Sequence, residues 1–94
     1  MIHIHIRYHN MLRRTTGLEQ ETIEMPAGTS LYGALEAIAG RYGPSLSDML
    51  FLPDGTVAGH LVVFCNDQLA RDDARTVELA DGDELMLFPA ISGG

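Results

Sequence analysis

Lysine and tryptophan are absent from these 94 residues, cysteine occurs once, and all six basic side chains are arginine, at positions 7, 13, 14, 41, 71 and 75. Each shortage removes a class of function. Without lysine the chain offers no side-chain amine for an isopeptide bond. Cys65, standing alone, can build no internal disulfide, no Cys-x-x-Cys pair and no multi-thiolate zinc site. A net charge of −7 opposes nucleic-acid binding, which needs clustered Lys and Arg against phosphate. A protein partner with basic surface is the expectation instead. No run approaches the ~20 apolar residues of a membrane helix. The opening Met1-Ile2-His3-Ile4-His5 also lacks the charged-then-apolar layout of a signal peptide. A soluble cytoplasmic protein with no membrane partner is therefore expected.

What is present describes a folded globule: 46% of residues are hydrophobic, and the charges are scattered rather than blocked. At this length there is one modest core and no room for a second domain, so residues 1–94 are read as one unit. Residues 2–8 alternate, Ile2, Ile4, Ile6 and Tyr8 against His3, His5 and Arg7, which is the period of a strand. Residues 10–17 read as a connection, and Leu18 to Met25 as a second strand with Ile23 and Met25 inward, forming a hairpin with the first.

After Pro26-Ala27-Gly28-Thr29, Ser30 is placed to cap a helix whose apolar positions are Leu31, Leu35, Ile38, Ala39 and Tyr42. Gly43-Pro44 ends it. Gly33 inside it is mildly unfavourable and points to a close approach. Residues 45–60 predict a helical turn and then a loop. Leu61 to Cys65 reads as a strand, Asn66-Asp67 as a tight turn into a short strand Gln68-Leu69, and Asp81-Gly82-Asp83 as the turn that launches Glu84 to Pro89. The predicted order is ββαβββ.

The chain closes on Ser92-Gly93-Gly94, directly after the apolar run Leu85-Met86-Leu87-Phe88-Pro89-Ala90-Ile91. Frayed tails are normally polar, whereas here hydrophobic sequence continues almost to the carboxylate. On the last strand, Leu85 and Leu87 inward turn Met86 and Phe88 outward; the same alternation puts Val63 and Cys65 inward and Val62 and Phe64 outward. If first and last strands are neighbours, His3, His5 and Arg7 share that outer surface. An apolar group rimmed by polar residues predicts a docking face, unless residues 43–60 cover it.

A hairpin, one crossing helix, further strands and a glycine-glycine tail resemble the ubiquitin-like β-grasp, and within it the MoaD/ThiS sulfur carriers. The resemblance rests on Asp81-Gly82-Asp83-Glu84-Leu85, on Phe88-Pro89-Ala90-Ile91-Ser92-Gly93-Gly94, and on a weaker echo in Phe64-Cys65-Asn66-Asp67. It implies an α+β fold, a mixed sheet of four or five strands on one main helix, with a flexible tail at 90–94. Ala90 departs from a frequent second proline, and residues 43–60 exceed the compact thiamin-type carriers in length, which favours the molybdopterin type.

The resemblance further implies a carrier rather than an enzyme. Gly94 would be adenylated by an E1-like partner of MoeB/ThiF type that uses ATP, and sulfur would then convert it to a thiocarboxylate. The acceptor would be a large subunit of molybdopterin-synthase type or another sulfur-acceptor enzyme. Glycine at 93 and 94 has no Cβ to clash in a narrow cleft. Ala90 to Gly94 can extend by roughly 17 Å at about 3.3 to 3.6 Å per residue. Partner contact is assigned to Phe88, Met86, Phe64, Val62, Ile91, Ser92 and Arg7.

No cofactor is expected on the chain itself, and no metal: His3-x-His5 with His9 lacks the further ligands that structural zinc needs. Cys65 reads as a small core residue, and Asp72, Asp73 and Glu84 as solubilising charge. The alternatives are a ubiquitin-like modifier joined through Gly94 to a target lysine, a carrier in thiamin or cysteine synthesis, a permanent subunit of a larger enzyme, and a histidine metalloenzyme.

Overall fold

The computed structural model describes residues 1–70 and 73–89. Five strands form one sheet in the order β2-β1-β5-β3-β4. These are β1 (Ile2–Tyr8), β2 (Gln20–Met25), β3 (Leu61–Cys65), β4 (Gln68–Leu69) and β5 (Glu84–Pro89). Among the described residues three α-helices intervene, α1 (Met11–Thr16), α2 (Leu31–Tyr42) and α3 (Pro44–Leu50), with a 3-10 turn at Ala74–Thr76. The first and last strands lie side by side and parallel, Ile6 opposite Leu85 and Tyr8 opposite Leu87, while β2 and β3 flank them antiparallel. This is the mixed β-grasp sheet, with β5 at its centre.

Alternation decides the two faces. Ile2, Ile4, Ile6 and Tyr8 are buried on the inner side, with Ile23, Met25, Val63, Leu85 and Leu87. Leu31, Ala34, Leu35 and Ile38 of α2 close over them, and Leu12, Leu46, Leu50 and Leu79 complete the core. Ala39 and Tyr42 are only partly buried at the edge of the α2 stripe. The Ser30 side chain accepts from the Gly33 N–H at 3.0 Å, the expected cap. A Cβ on Gly33 would fall 2.9 Å from the Thr29 methyl, which accounts for glycine inside the first turn.

Three expectations need correction. The connection at 10–17 contains α1, because Leu12 is driven into the core and Gly17, at φ 76°, closes the helix by donating to the Arg13 carbonyl. The second strand begins at Gln20, not Leu18. Residues 45–60 hold more than one turn: Gly43-Pro44 stops α2 and also starts α3, with Pro44 in the first helical turn and Leu46 and Leu50, four apart, both buried. The strand order in sequence is kept, with two additional helices inserted.

The last strand is positioned by a polar lattice at one end of the sheet. The Asn66 amide donates to Asp83 at 2.9 Å and its oxygen accepts from the Glu84 N–H at 2.9 Å. Asp83 also accepts from the Ala80 N–H, and Asp81 from the His3 N–H. The bond from the His3 N–H, and then the one to the His3 ring, hold Asp81 below the usual carboxylate range. The two quoted motifs thus meet in space, and they set where β5 begins.

Candidate functional site

The outer face of the sheet is built by register. Val62 lies opposite Phe88 and Phe64 opposite Met86 across β3 and β5, while Arg7 lies beside Met86 across β1 and β5. All four apolar side chains are half-buried, and Arg7 is exposed. Phe64 meets the Phe88 ring edge-on at 5.8 Å between centroids. Residues 43–60 do not cover this surface: α3 packs on α2 and α1, and its buried leucines join the opposite, inner core. The face assignment made from alternation therefore stands for Phe88, Met86, Phe64, Val62 and Arg7. Ile91, Ser92, Gly93 and Gly94 lie outside the described residues.

Two members were not foreseen. His9 stacks on Phe88, rings 4.2 Å apart and 8° from parallel, and its N–H donates to the Leu87 carbonyl at 3.2 Å. Extending the alternation of His3, His5 and Arg7 by two residues would have found it. Leu69, 41% exposed, lies opposite Phe64 and extends the apolar row to the sheet edge. A two-residue turn at Asn66-Asp67 already dictates that pairing.

Other polar groups of the described residues are held in local contacts. His5 is tied through its two ring nitrogens to Thr22 at 2.9 Å and Gln20 at 3.0 Å, and His3 sits 3.1 Å from Asp81. Among the described residues, no three His, Cys, Asp or Glu side chains converge where a metal ion could sit. Burial, with Asp83 nearby, pushes the Cys65 thiol up, away from the thiolate that a nucleophile requires. No helix among the described residues is long and apolar enough to cross a membrane.

A mixed β-grasp sheet with an apolar outer face, packed on one main helix, defines a small ubiquitin-like protein. The chain belongs to the ThiS family, whose model matches residues 6–94. It is 32% identical over 83 residues, 88% of this chain and 91% of the relative, to small archaeal modifier protein 1 of Haloferax volcanii. The crystal structure of that protein superposes with a TM-score of 0.86 at 27% identity, covering 97% of this chain and all of the other (100%). CysO in the Amycolatopsis orientalis BexX/CysO complex shares the fold, with a TM-score of 0.71 at 21% identity over 97% of this chain and 99% of the other. Proteins of this family are small non-catalytic carriers and modifiers that pair with E1-like activating enzymes and sulfur-acceptor partners.

Proposed function

We propose that the chain is a sulfur carrier worked through its C-terminal Gly94. The observation that supports this most is the placement of β5: the central strand of a ThiS-family sheet, beside an apolar face suited to docking, is followed in sequence within a few residues by Gly93-Gly94. A carboxylate is a poor electrophile, because its charge is delocalised and oxide leaves badly. An E1-like enzyme of MoeB/ThiF type overcomes this with ATP. A Gly94 carboxylate oxygen attacks the α-phosphorus, pyrophosphate leaves, and an acyl-adenylate forms.

A persulfide sulfur then attacks the carbonyl carbon and displaces AMP. A second thiol cleaves the resulting S–S bond, leaving the thiocarboxylate and a disulfide. The chain supplies the electrophile, and Phe88, Met86, Phe64, Val62 and Arg7, with Ile91 and Ser92 leading to the tip, supply the docking surface. A large subunit of molybdopterin-synthase type is the favoured acceptor, on the length of residues 43–60.

A second reading is favoured by the name of the 32% identical relative, a modifier. The same adenylate, attacked by a lysine amine of another protein, gives an isopeptide bond and AMP. One assay separates the two. Incubated with an E1-like enzyme, ATP and a persulfide donor, the intact chain should gain the mass difference between sulfur and oxygen, located at Gly94, and deletion of Gly94 should abolish the change. Conjugates on target proteins with no thiocarboxylate would favour the modifier. Absence of both with several E1-like enzymes would sink the proposal.

A further inference from the structure

We propose that Arg7, His9 and Arg13 form a recognition site for a carboxylate side chain on the enzyme that receives the tail, an inference that rests on the carrier reading above. The three residues line one small hollow of about 100 Å³ with Tyr8, Glu19 and Gln20, at the end of the sheet where β5 finishes. Two of the chain's six arginines, Arg7 and Arg13, belong to this end. At the other end stand Asp67, Asp81 and Asp83, in the turns that precede β4 and β5. A protein of net charge −7 thus keeps a basic corner next to Phe88.

His9 makes this corner more than a solvated charge. Its ring is clamped on Phe88 and its backbone is bonded to Leu87, so it cannot swing away. Its Nε2 is buried and has no hydrogen-bond partner among the described residues. Buried polar atoms are nearly always paired, and an orphan on a residue that shares its hollow with Arg7 and Arg13 fits an acceptor brought by another molecule. The present partners of the arginines are weak competitors. Arg13 meets Glu19 at 3.2 Å and Arg7 meets Glu84 at 3.9 Å, with both arginines about half exposed, at 56% and 47%. Such screened pairs exchange readily. A planar guanidinium prefers a carboxylate that it can grip with two N–H groups.

The site would therefore orient the carrier: a carboxylate beside the cleft mouth takes the basic corner, and the remote acidic end faces basic surface. The test uses the full chain with the E1-like enzyme that adenylates it, measuring pyrophosphate release against carrier concentration. Arg7→Gln with Arg13→Gln should raise the KM for the carrier about tenfold, leave kcat within about twofold, and flatten the rise of KM with salt. His9→Phe, which keeps the stack and removes the nitrogens, should raise KM in the same direction with an unchanged melting temperature. Unchanged KM in both variants, with the wild type adenylated normally, overturns this proposal and leaves the carrier reading intact. Strong competition by inorganic phosphate would make the corner a phosphate site and overturn it as well. If the wild type is not adenylated at all, both readings fall.

Discussion

Phe88 holds two roles that mutation can separate. It is half-buried, stacked by His9 and met edge-on by Phe64, yet it belongs to the outer surface. Phe88→Ala should lower stability by about 1 to 2 kcal/mol, below the about 3 to 5 kcal/mol of a core phenylalanine, while carrier binding to the activating enzyme weakens by a larger factor. Chemical denaturation and the KM assay decide it; a stability loss in the core range would place the ring inside. Tyr8 offers a second residue-scale prediction. Burial chiefly, and then the hydrogen bond and charge of Glu21, push its phenol far above the ordinary tyrosine range. Glu21 accepts from Tyr8 and from Tyr42 at 2.6 Å each, with Arg41 3.5 Å from its other oxygen. The folded chain thus keeps a proton that the unfolded chain releases above about pH 10. The stability contributed is full below that pH and is lost as pH rises through and beyond it. Alkaline denaturation should show this slope, and Tyr8→Phe should lessen it, for about 1 kcal/mol of lost hydrogen bonding at neutral pH. Tyr42, raised in the same way, retains part of the slope.

At the scale of elements, the β3–β4 turn carries a correctable strain. Asn66 and Asp67 both adopt positive φ, 52° and 69°, the geometry of a primed two-residue hairpin turn. Asn66 is needed for its bonds to Asp83 and Glu84, but no side-chain hydrogen bond of Asp67 is present among the described residues. Asp67→Gly should stabilise by about 0.5 to 1 kcal/mol, read as a melting temperature higher by a few degrees; a decrease would mean that Asp67 has a role in the fold beyond its backbone. The turn was legible in the sequence because only two residues separate two strand patterns. The strands were legible for a like reason: alternation needs no knowledge of neighbours, so Leu85, Leu87 and Val63 could be assigned inward from spacing alone. Helices α1 and α3 were not. Each is short, has one or two buried leucines, and forms because the core accepts Leu12, Leu46 and Leu50; that acceptance is a tertiary fact. Gly43-Pro44 misled for a local reason, since a dipeptide that stops one helix is equally suited to begin the next.

For the whole molecule, the outer face illustrates how far spacing reaches. Period-two reasoning placed Phe88, Met86, Phe64 and Val62 together and reaches His9 when carried two residues past Arg7, but the stacking of the His9 ring on Phe88 is a side-chain placement that alternation does not encode. The orphaned nitrogen of His9 was invisible for the same reason. The parallel pairing of β1 with β5 has a mechanical consequence. Strand β5 is held on both sides, by β1 along one edge and β3 along the other. A pull at its C-terminal end loads both ladders in shear, so their hydrogen bonds must yield together rather than unzip singly, as they would from a peeled edge strand. An enzyme drawing on that end grips the line along which the molecule best resists force.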